Sequence, residues 1–147
     1  MPKMSAVASS SQNNIWLSIP ASLNYLSVIG PCLGAILQAA NQPDTEETLP
    51  YSLELAIYET CTNIVVHAYK HSFGRIELEL TLENHPQRLV IDLYDTGSSF
   101  NIAEIAPPNL EVPQEHGYGL FLVHQLMDDV TYQPGNGKNH WRLVKNL

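Results

Sequence analysis

The stretch Leu53-Glu-Leu-Ala-Ile-Tyr-Glu-Thr-Cys-Thr-Asn-Ile-Val-Val-His-Ala-Tyr69 keeps a helical period of apolar residues, with no Pro or Gly inside it. Residues three and four apart share one face of a helix, and an apolar face packs against a core. The sequence therefore predicts one continuous helix over residues 53–69. The residues expected on its buried face are Leu53, Ile57, Ile64 and Ala68.

The segments on either side of this helix predict a sheet. Downstream, residues 73–81 and 89–94 alternate or run apolar with turn residues between them, so we expect them to pair as a hairpin. Upstream, residues 15–19 form a candidate first strand. Ser22 then offers a hydroxyl cap to a helix that Gly30-Pro31 should bend or break.

The last third of the chain begins with a long loop. Residues 101–116 include three prolines, and long proline-bearing loops in compact domains are often lids. A helix is expected over residues 117–127, followed by strands near 130–133 and 140–144. The predicted order β-α-α-β-β-α-β-β indicates an α/β (α+β) two-layer sandwich, with a mixed, mostly antiparallel sheet and helices on one face.

Length and composition bound the domain organisation and the compartment. Residues 1–14 are small, polar and Ser-rich, which predicts a disordered N-terminal tail before one domain at 15–147. Cys32 and Cys61 have neither CxxC spacing nor a disulfide pattern, which favours a reducing compartment. Both are expected to be small buried apolar residues. No apolar run reaches the roughly 18 residues of a membrane span, so we expect a cytoplasmic protein without membrane contact.

The charge of the chain argues against nucleic acid as a partner. Asp and Glu total 15 against 7 Lys and Arg, and the formal net charge is -8. Such a surface opposes binding to a phosphate backbone. It serves solubility, or it attracts a partner that presents a basic patch.

The first block with chemical meaning lies on the central helix, where Glu59, Asn63 and His67 are spaced four apart and share one stripe. An amide oxygen suits Mg²⁺, which binds few protein ligands while it bridges substrate phosphates. Glu59, one turn earlier, could accept a proton from an attacking hydroxyl or water. The alternative is an ordinary solvated helix face.

The second block is Asp95-Thr-Gly-Ser-Ser-Phe100, at the end of an apolar strand. Gly97 permits a close or left-handed backbone in the turn. An ionised Asp95 can accept a hydrogen bond from an exocyclic amine such as that of adenine. The alternatives are a plain Asx turn for Asp95 and packing under the loop for Phe100.

The third block, Gly117-Tyr-Gly-Leu-Phe-Leu122, opens a helix at two positions without side chains. Free N–H groups there can approach phosphate oxygens at the positive end of the helix dipole. The apolar residues that follow are expected in the core. No Lys or Arg occurs between Arg88 and Lys138, so compensating charge must come from Mg²⁺, the helix N-terminus or Lys70, which a continuous helix would place nearly above Asn63. A surface role is the alternative for Lys70.

The three blocks, in this order, resemble the N, G1 and G2 boxes of histidine-kinase-like ATPases. More narrowly, residues 15–145 resemble the anti-sigma-factor serine/threonine kinases of bacterial partner-switching systems. The resemblance implies a Bergerat-type sandwich that binds ATP and Mg²⁺ beneath a mobile lid. Asn101 departs from a frequent Asp of the family, and His116 departs from a frequent Gly.

Roles follow from the resemblance by position. Glu59 is the expected general base, Asn63 the expected Mg²⁺ ligand and Asp95 the expected reader of adenine. The set expected to bind the nucleotide is Asn63, His67, Asp95, Gly97, Phe100, Gly117, Tyr118, Gly119 and Leu120.

The implied activity is phosphorylation of a serine or threonine on an anti-sigma-factor antagonist. The resemblance also implies sequestration of a sigma factor or similar regulator, and members of the family are often homodimers. Two other functions stay open. One is a nucleotide-dependent protein-binding module without phosphotransfer, which the cation-free lid favours, and the other is an ATP hydrolase in which Glu59 activates water.

Overall fold

The computed structural model describes residues 14–39, 49–101 and 118–147. The elements in chain order are β1 (Asn14–Pro20), a 3₁₀ helix (Leu23–Val28), α1 (Ile29–Ala39), α2 (Leu49–Asn63), a π-helical turn (Ile64–Ala68), β2 (Arg75–Asn84), β3 (Gln87–Asp95), α3 (Tyr118–Leu126), β4 (Asp129–Gln133) and β5 (Asn139–Asn146). Asn14, expected in the tail, begins β1 instead. The rest of the expected tail, Gly117 and the expected lid after Asn101 lie outside the described residues.

The strands form one five-stranded sheet in the order β1-β2-β3-β5-β4. Every pairing among these strands is antiparallel, where the sequence predicted a mixed, mostly antiparallel sheet. The connection through α3 returns the chain so that β4 runs parallel to β3, but β5 lies between them and is antiparallel to both. No parallel pair can form in this order.

One face of the sheet packs against the helices and forms the core. Alternate residues of the strands, including Ile76, Leu78, Ile91 and Leu93, join one cluster with α1, α2 and α3. The four residues predicted to face the core from the central helix are all buried: Leu53, Ile57, Ile64 and Ala68. Burial of each large aliphatic side chain contributes about 1.5–3 kcal/mol to stability. The packing of the helices against one face of the sheet confirms the predicted two-layer sandwich.

The structure corrects the first helix in one detail. Ser22 occupies the N-cap position, but its hydroxyl makes no capping hydrogen bond. Its carbonyl instead accepts the N–H of Tyr25 at 3.0 Å. The helix changes from 3₁₀ to α at Ile29, directly before Gly30-Pro31, where a bend or break was predicted. Pro31 is tolerated because a proline in the first turn of a helix removes no intrahelical bond.

The central helix is not continuous as predicted. It starts at Leu49, and after Asn63 it widens into the π-helical turn, in which the N–H of Tyr69 donates to Ile64 O at 2.9 Å. Lys70 and His71 then adopt positive φ angles of 52° and 60°. The chain has therefore left the helix before Lys70, which cannot lie above Asn63 as a regular helix would place it.

The structure differs from two further expectations. Phe73 was placed in a strand but is fully exposed, and β2 begins only at Arg75. Cys61 is buried as expected, whereas Cys32 is half-buried. Within residues 14–39, 49–101 and 118–147, no helix is long and apolar enough to cross a bilayer.

Candidate functional site

The carboxylate of Glu59 lies against the first turn of α3. A Cβ built on Gly119 would come within 2.6 Å of Glu59 Oε2, which is closer than real Cβ contacts allow. Glycine at residue 119 therefore makes the space that this carboxylate occupies. The contact joins the first block of the sequence to the third, sixty residues further along the chain.

Asn63 is the last residue of α2 and lies one regular turn beyond Glu59. Both residues are half-buried and lie within α2. Because residues four apart share one side of a helix, the predicted pairing of an acid and an amide holds for these two residues. His67 lies in the π-helical turn and departs from the straight stripe that was predicted. Its exposed ring meets the ring of Phe100 edge-on, with centroids 6.2 Å apart.

The acidic turn rests directly on the end of the π-helical turn. The N–H of Ser98 donates to Ala68 O at 2.8 Å, and a Cβ on Gly97 would lie 2.6 Å from the same carbonyl oxygen. The Tyr69 hydroxyl accepts the N–H of Thr96 at 2.9 Å and donates to Arg75 O at 2.7 Å. The second block is therefore fixed to the first, at a π-helical turn of the kind that is frequent in functional sites.

Asp95 has one satisfied and one unsatisfied carboxylate oxygen. The residue is only 2% exposed. Its Oδ1 accepts the N–H of Gly97 and the side-chain amide of Asn139, each at 2.9 Å. Its Oδ2 is buried and has no hydrogen-bond partner among the described residues. The Asx turn proposed as an alternative therefore exists, but it uses only Oδ1.

The burial of Asp95 also changes its acidity. Desolvation raises the pKa of the carboxyl above its ordinary value, and the hydrogen bonds from Asn139 and Gly97 act in the opposite direction. A buried oxygen without a partner is rare in native proteins. A donor on a bound ligand, such as an exocyclic amine, would satisfy Oδ2.

Phe100 packs at the edge of this site, and packing is one of the two roles that the sequence suggested for it. Its ring lies 5.6 Å from that of Tyr132 and 6.0 Å from that of Trp141. Its N–H donates to the Tyr132 hydroxyl at 2.9 Å. Phe100 thus anchors the end of the acidic turn to β4 and β5 by aromatic contacts.

The sequence patterns did not identify Asn139 or Tyr132. Asn139 is 1% exposed, begins β5 and alternates with the buried Trp141 and Leu143. That period of two is a signal that could have marked Asn139 as a polar residue in a buried position. Nothing local marks Tyr132, whose contact with Phe100 joins residues far apart in the chain.

The start of α3 supplies the remaining predicted residues. Tyr118, Gly119 and Leu120 form its first turn and are half-buried. Gly117 lies outside the described residues. Among those that are described, no three His, Cys, Asp or Glu side chains are grouped to hold a metal. The Glu59 carboxylate lies beside Gly119, and Asn63 lies one helical turn further along α2; a carboxylate and an amide oxygen are hard ligands that suit Mg²⁺.

An open groove of about 650 Å³ borders the acidic turn on the side of residues 68–73. Lys70 and Phe73 line it together with Thr96 and Gly97. Lys70 is exposed here, in line with the surface role considered for it.

The chain is similar in sequence to known proteins. The model of the histidine kinase-like ATPase domain matches residues 19–145. A relative named serine-protein kinase RsbW from Bacillus mycoides is 34% identical over 131 residues, and the match covers 84% of this chain and 79% of the relative. A protein of the same name from Bacillus cereus is 33% identical over the same shares.

Two solved structures have a similar fold. The structure of the RsbU and RsbW domains of a Mycobacterium tuberculosis protein has a TM-score of 0.65 and 18% identity, and the match covers 91% of this chain and 32% of that one. The histidine kinase domain of a blue-light activated kinase from Erythrobacter litoralis has a TM-score of 0.54 and 17% identity, over 88% and 62% of the two chains.

Proposed function

Because this chain belongs to the histidine kinase-like ATPase family, we propose that it is a serine/threonine protein kinase that uses ATP with Mg²⁺. The sequence predicted this family, and the family assignment is confirmed. Relatives named serine-protein kinase match 84% of the chain at 33–34% identity and support the reaction. The observation that carries the proposal is the position of Glu59 against Gly119 and one helical turn from Asn63.

Glu59 is the general base of the proposed reaction. It accepts the proton of a substrate serine or threonine hydroxyl as that oxygen attacks the γ-phosphorus of ATP. The bond from the γ-phosphorus to the bridging oxygen breaks, and ADP leaves with the bonding electron pair. Gly119 supports this role because its missing side chain lets the carboxylate reach the first turn of α3.

The other residues bind and orient the nucleotide. Asp95 Oδ2 accepts the exocyclic amine of adenine, and Asp95 keeps its direction through the bonds to Oδ1. The N–H groups at the start of α3 favour phosphate oxygens. Asn63 is the residue that would hold Mg²⁺, which neutralises charge on the phosphate oxygens when bound.

The proposed substrate is an anti-sigma-factor antagonist, and the proposed second partner is a sigma factor or similar regulator, as the resemblance implies. A net charge of -8 fits a protein partner with a basic surface better than it fits DNA or RNA. Homodimerisation belongs to the same proposal. The size at which the protein elutes alone and with each partner tests these assemblies.

The direct test is transfer of labelled phosphate from ATP to the antagonist. The Glu59→Gln variant keeps the shape of the side chain and removes the base, so we expect phosphotransfer to fall by about 100-fold or more. Glu54→Gln is the matched control, because Glu54 also lies on α2 with its carboxylate against a glycine, Gly30. Labelling that persists in Glu59→Gln at the rate of Glu54→Gln would remove Glu59 from the mechanism.

A nucleotide-dependent binding module is the second candidate function. It is favoured by the absence of Lys and Arg between Arg88 and Lys138, which leaves the expected lid without a cation for the γ-phosphate. Such a module holds its partner without transferring phosphate. Stoichiometric phosphorylation of the antagonist by the wild-type protein would exclude it, and steady phosphate release without a partner would indicate an ATP hydrolase.

A further inference from the structure

The side chain of Asn139 makes four hydrogen bonds at the end of the sheet. Its Nδ2 donates to Asp95 Oδ1 and to Gly97 O, each at 2.9 Å. Its Oδ1 accepts the hydroxyl of Ser99 at 2.7 Å and the N–H of Gly135 at 3.5 Å. One buried amide thus ties the acidic turn to the turn between β4 and β5.

These contacts fix which way the amide faces. In the opposite orientation, the amide oxygen would face the Asp95 carboxylate and the carbonyl of Gly97, so that only acceptors would meet. Nδ2 therefore points at Asp95 and can only donate. A donor at Oδ1 favours the ionised form of Asp95 and opposes the effect of burial on its pKa.

We propose that Asn139 is a positioning residue that sets the purine selectivity of the site, because it holds Asp95 so that Oδ2 alone is left for the base. This inference rests on the proposed function, in which Asp95 reads adenine. An ionised carboxylate offers acceptors only. It pairs with the 6-amino group of adenine and meets an acceptor, the 6-oxo group, in guanine. A protonated or rotated Asp95 would lose this distinction.

Asn139→Asp tests the inference with almost no change of shape. The new carboxyl would face Asp95 across 2.9 Å, and two carboxylates at that distance share a proton. We expect the pH at which half of the Mg-ATP affinity is lost to rise by about one unit or more. At neutral pH the preference for ATP over GTP should fall by about tenfold.

Asn139→Ala gives a second, independent variant in case the paired carboxyls prevent folding. It removes the donor to Asp95 Oδ1 without adding a charge, so the pH midpoint should rise by less while the ATP preference still falls. Ile91→Val is the matched control, since Ile91 is fully buried in β3 and makes a purely apolar contact. This control shows how much of a change in the pH midpoint or in the ATP preference comes from lost stability or from titration of the nucleotide itself.

Calorimetric titrations with Mg-ATP and Mg-GTP over a range of pH measure all of these effects. A wild-type protein that binds both nucleotides equally would remove the proposed adenine site itself. A wild-type protein that prefers ATP, together with folded Asn139 variants that keep its preference and its pH profile, would overturn the positioning role. A shift that Ile91→Val shares would overturn it as well.

Discussion

Gly97 lies directly on the carbonyl group of Ala68, so that a Cβ at residue 97 would come within 2.6 Å of both the carbon and the oxygen. The obstacle is backbone and cannot rotate away. We predict that Gly97→Ala lowers the free energy of unfolding by about 1–3 kcal/mol, the usual cost of overpacking. It should also reduce the thermal shift on addition of Mg-ATP, because the turn that carries Asp95 must move.

Gly34→Ala is the control for that prediction. Nothing lies within 4 Å of a Cβ on Gly34, which is in α1. An exposed helical Gly→Ala change is expected to stabilise by about 0.5–1 kcal/mol. Urea denaturation of both variants measures the difference, and equal stabilities would contradict the close approach of the acidic turn to Ala68.

Gly119→Ala should separate stability from catalysis. The atom that a Cβ at residue 119 would meet is Glu59 Oε2, at the far end of a flexible side chain. The carboxylate can move aside, and alanine favours the helix, so we expect stability to stay within about 1 kcal/mol of wild type. Phosphotransfer should fall by about tenfold or more because the base is displaced. Transfer at the wild-type rate would show that this position of Glu59 is not the reactive one.

Tyr69→Phe should loosen the link between the central helix and the acidic turn. The hydroxyl has two backbone partners, the N–H of Thr96 and Arg75 O, and the residue is 6% exposed. We expect a loss of about 1–2 kcal/mol in the free energy of unfolding, since both partners lose a bond. Tyr51→Phe, at an exposed position of α2, should cost almost nothing in the same urea titration. Similar losses in both variants would contradict the prediction.

Features set by local periodicity were predictable from the sequence. Leu53, Ile57, Ile64 and Ala68 are buried as expected, because a helical period reports which face meets the core. The strands and the hairpin were likewise found to within a few residues. The family resemblance predicted that the three blocks form one site. The contact between Glu59 and Gly119 brings the first and third blocks together, as that prediction requires.

Features that depend on distant contacts were not predictable. The π-helical turn covers residues 64–68, a largely apolar run that fits an α-helix equally well, and it forms where the acidic turn docks on Ala68. Asn139 meets Asp95 across 44 residues, so no local pattern reveals the pair. The sheet is wholly antiparallel because β5 inserts between β3 and β4, an arrangement that strand composition does not encode.

Asp95→Asn should abolish nucleotide binding and raise the free energy of unfolding relative to wild type by an amount that depends on pH. Burial raises the pKa of Asp95 in the folded protein above its ordinary value, so the folded state binds this proton more tightly than the unfolded state does. The contribution of Asp95 to stability is therefore greatest below the ordinary pKa and declines as pH rises through the raised one. Asparagine has no proton to lose, and its Oδ1 can still accept from Gly97 and Asn139.

The free energy of unfolding of Asp95→Asn, relative to wild type, should accordingly increase as pH rises through this window and level off above it. Mg-ATP should no longer shift the melting temperature of the variant, because an amide nitrogen in place of Oδ2 cannot accept the adenine amine. Asp129→Asn, at an exposed position, is the control. Urea denaturation at a series of pH values measures the difference, and parallel curves for Asp95→Asn and wild type would show that burial of this carboxylate does not oppose its ionisation.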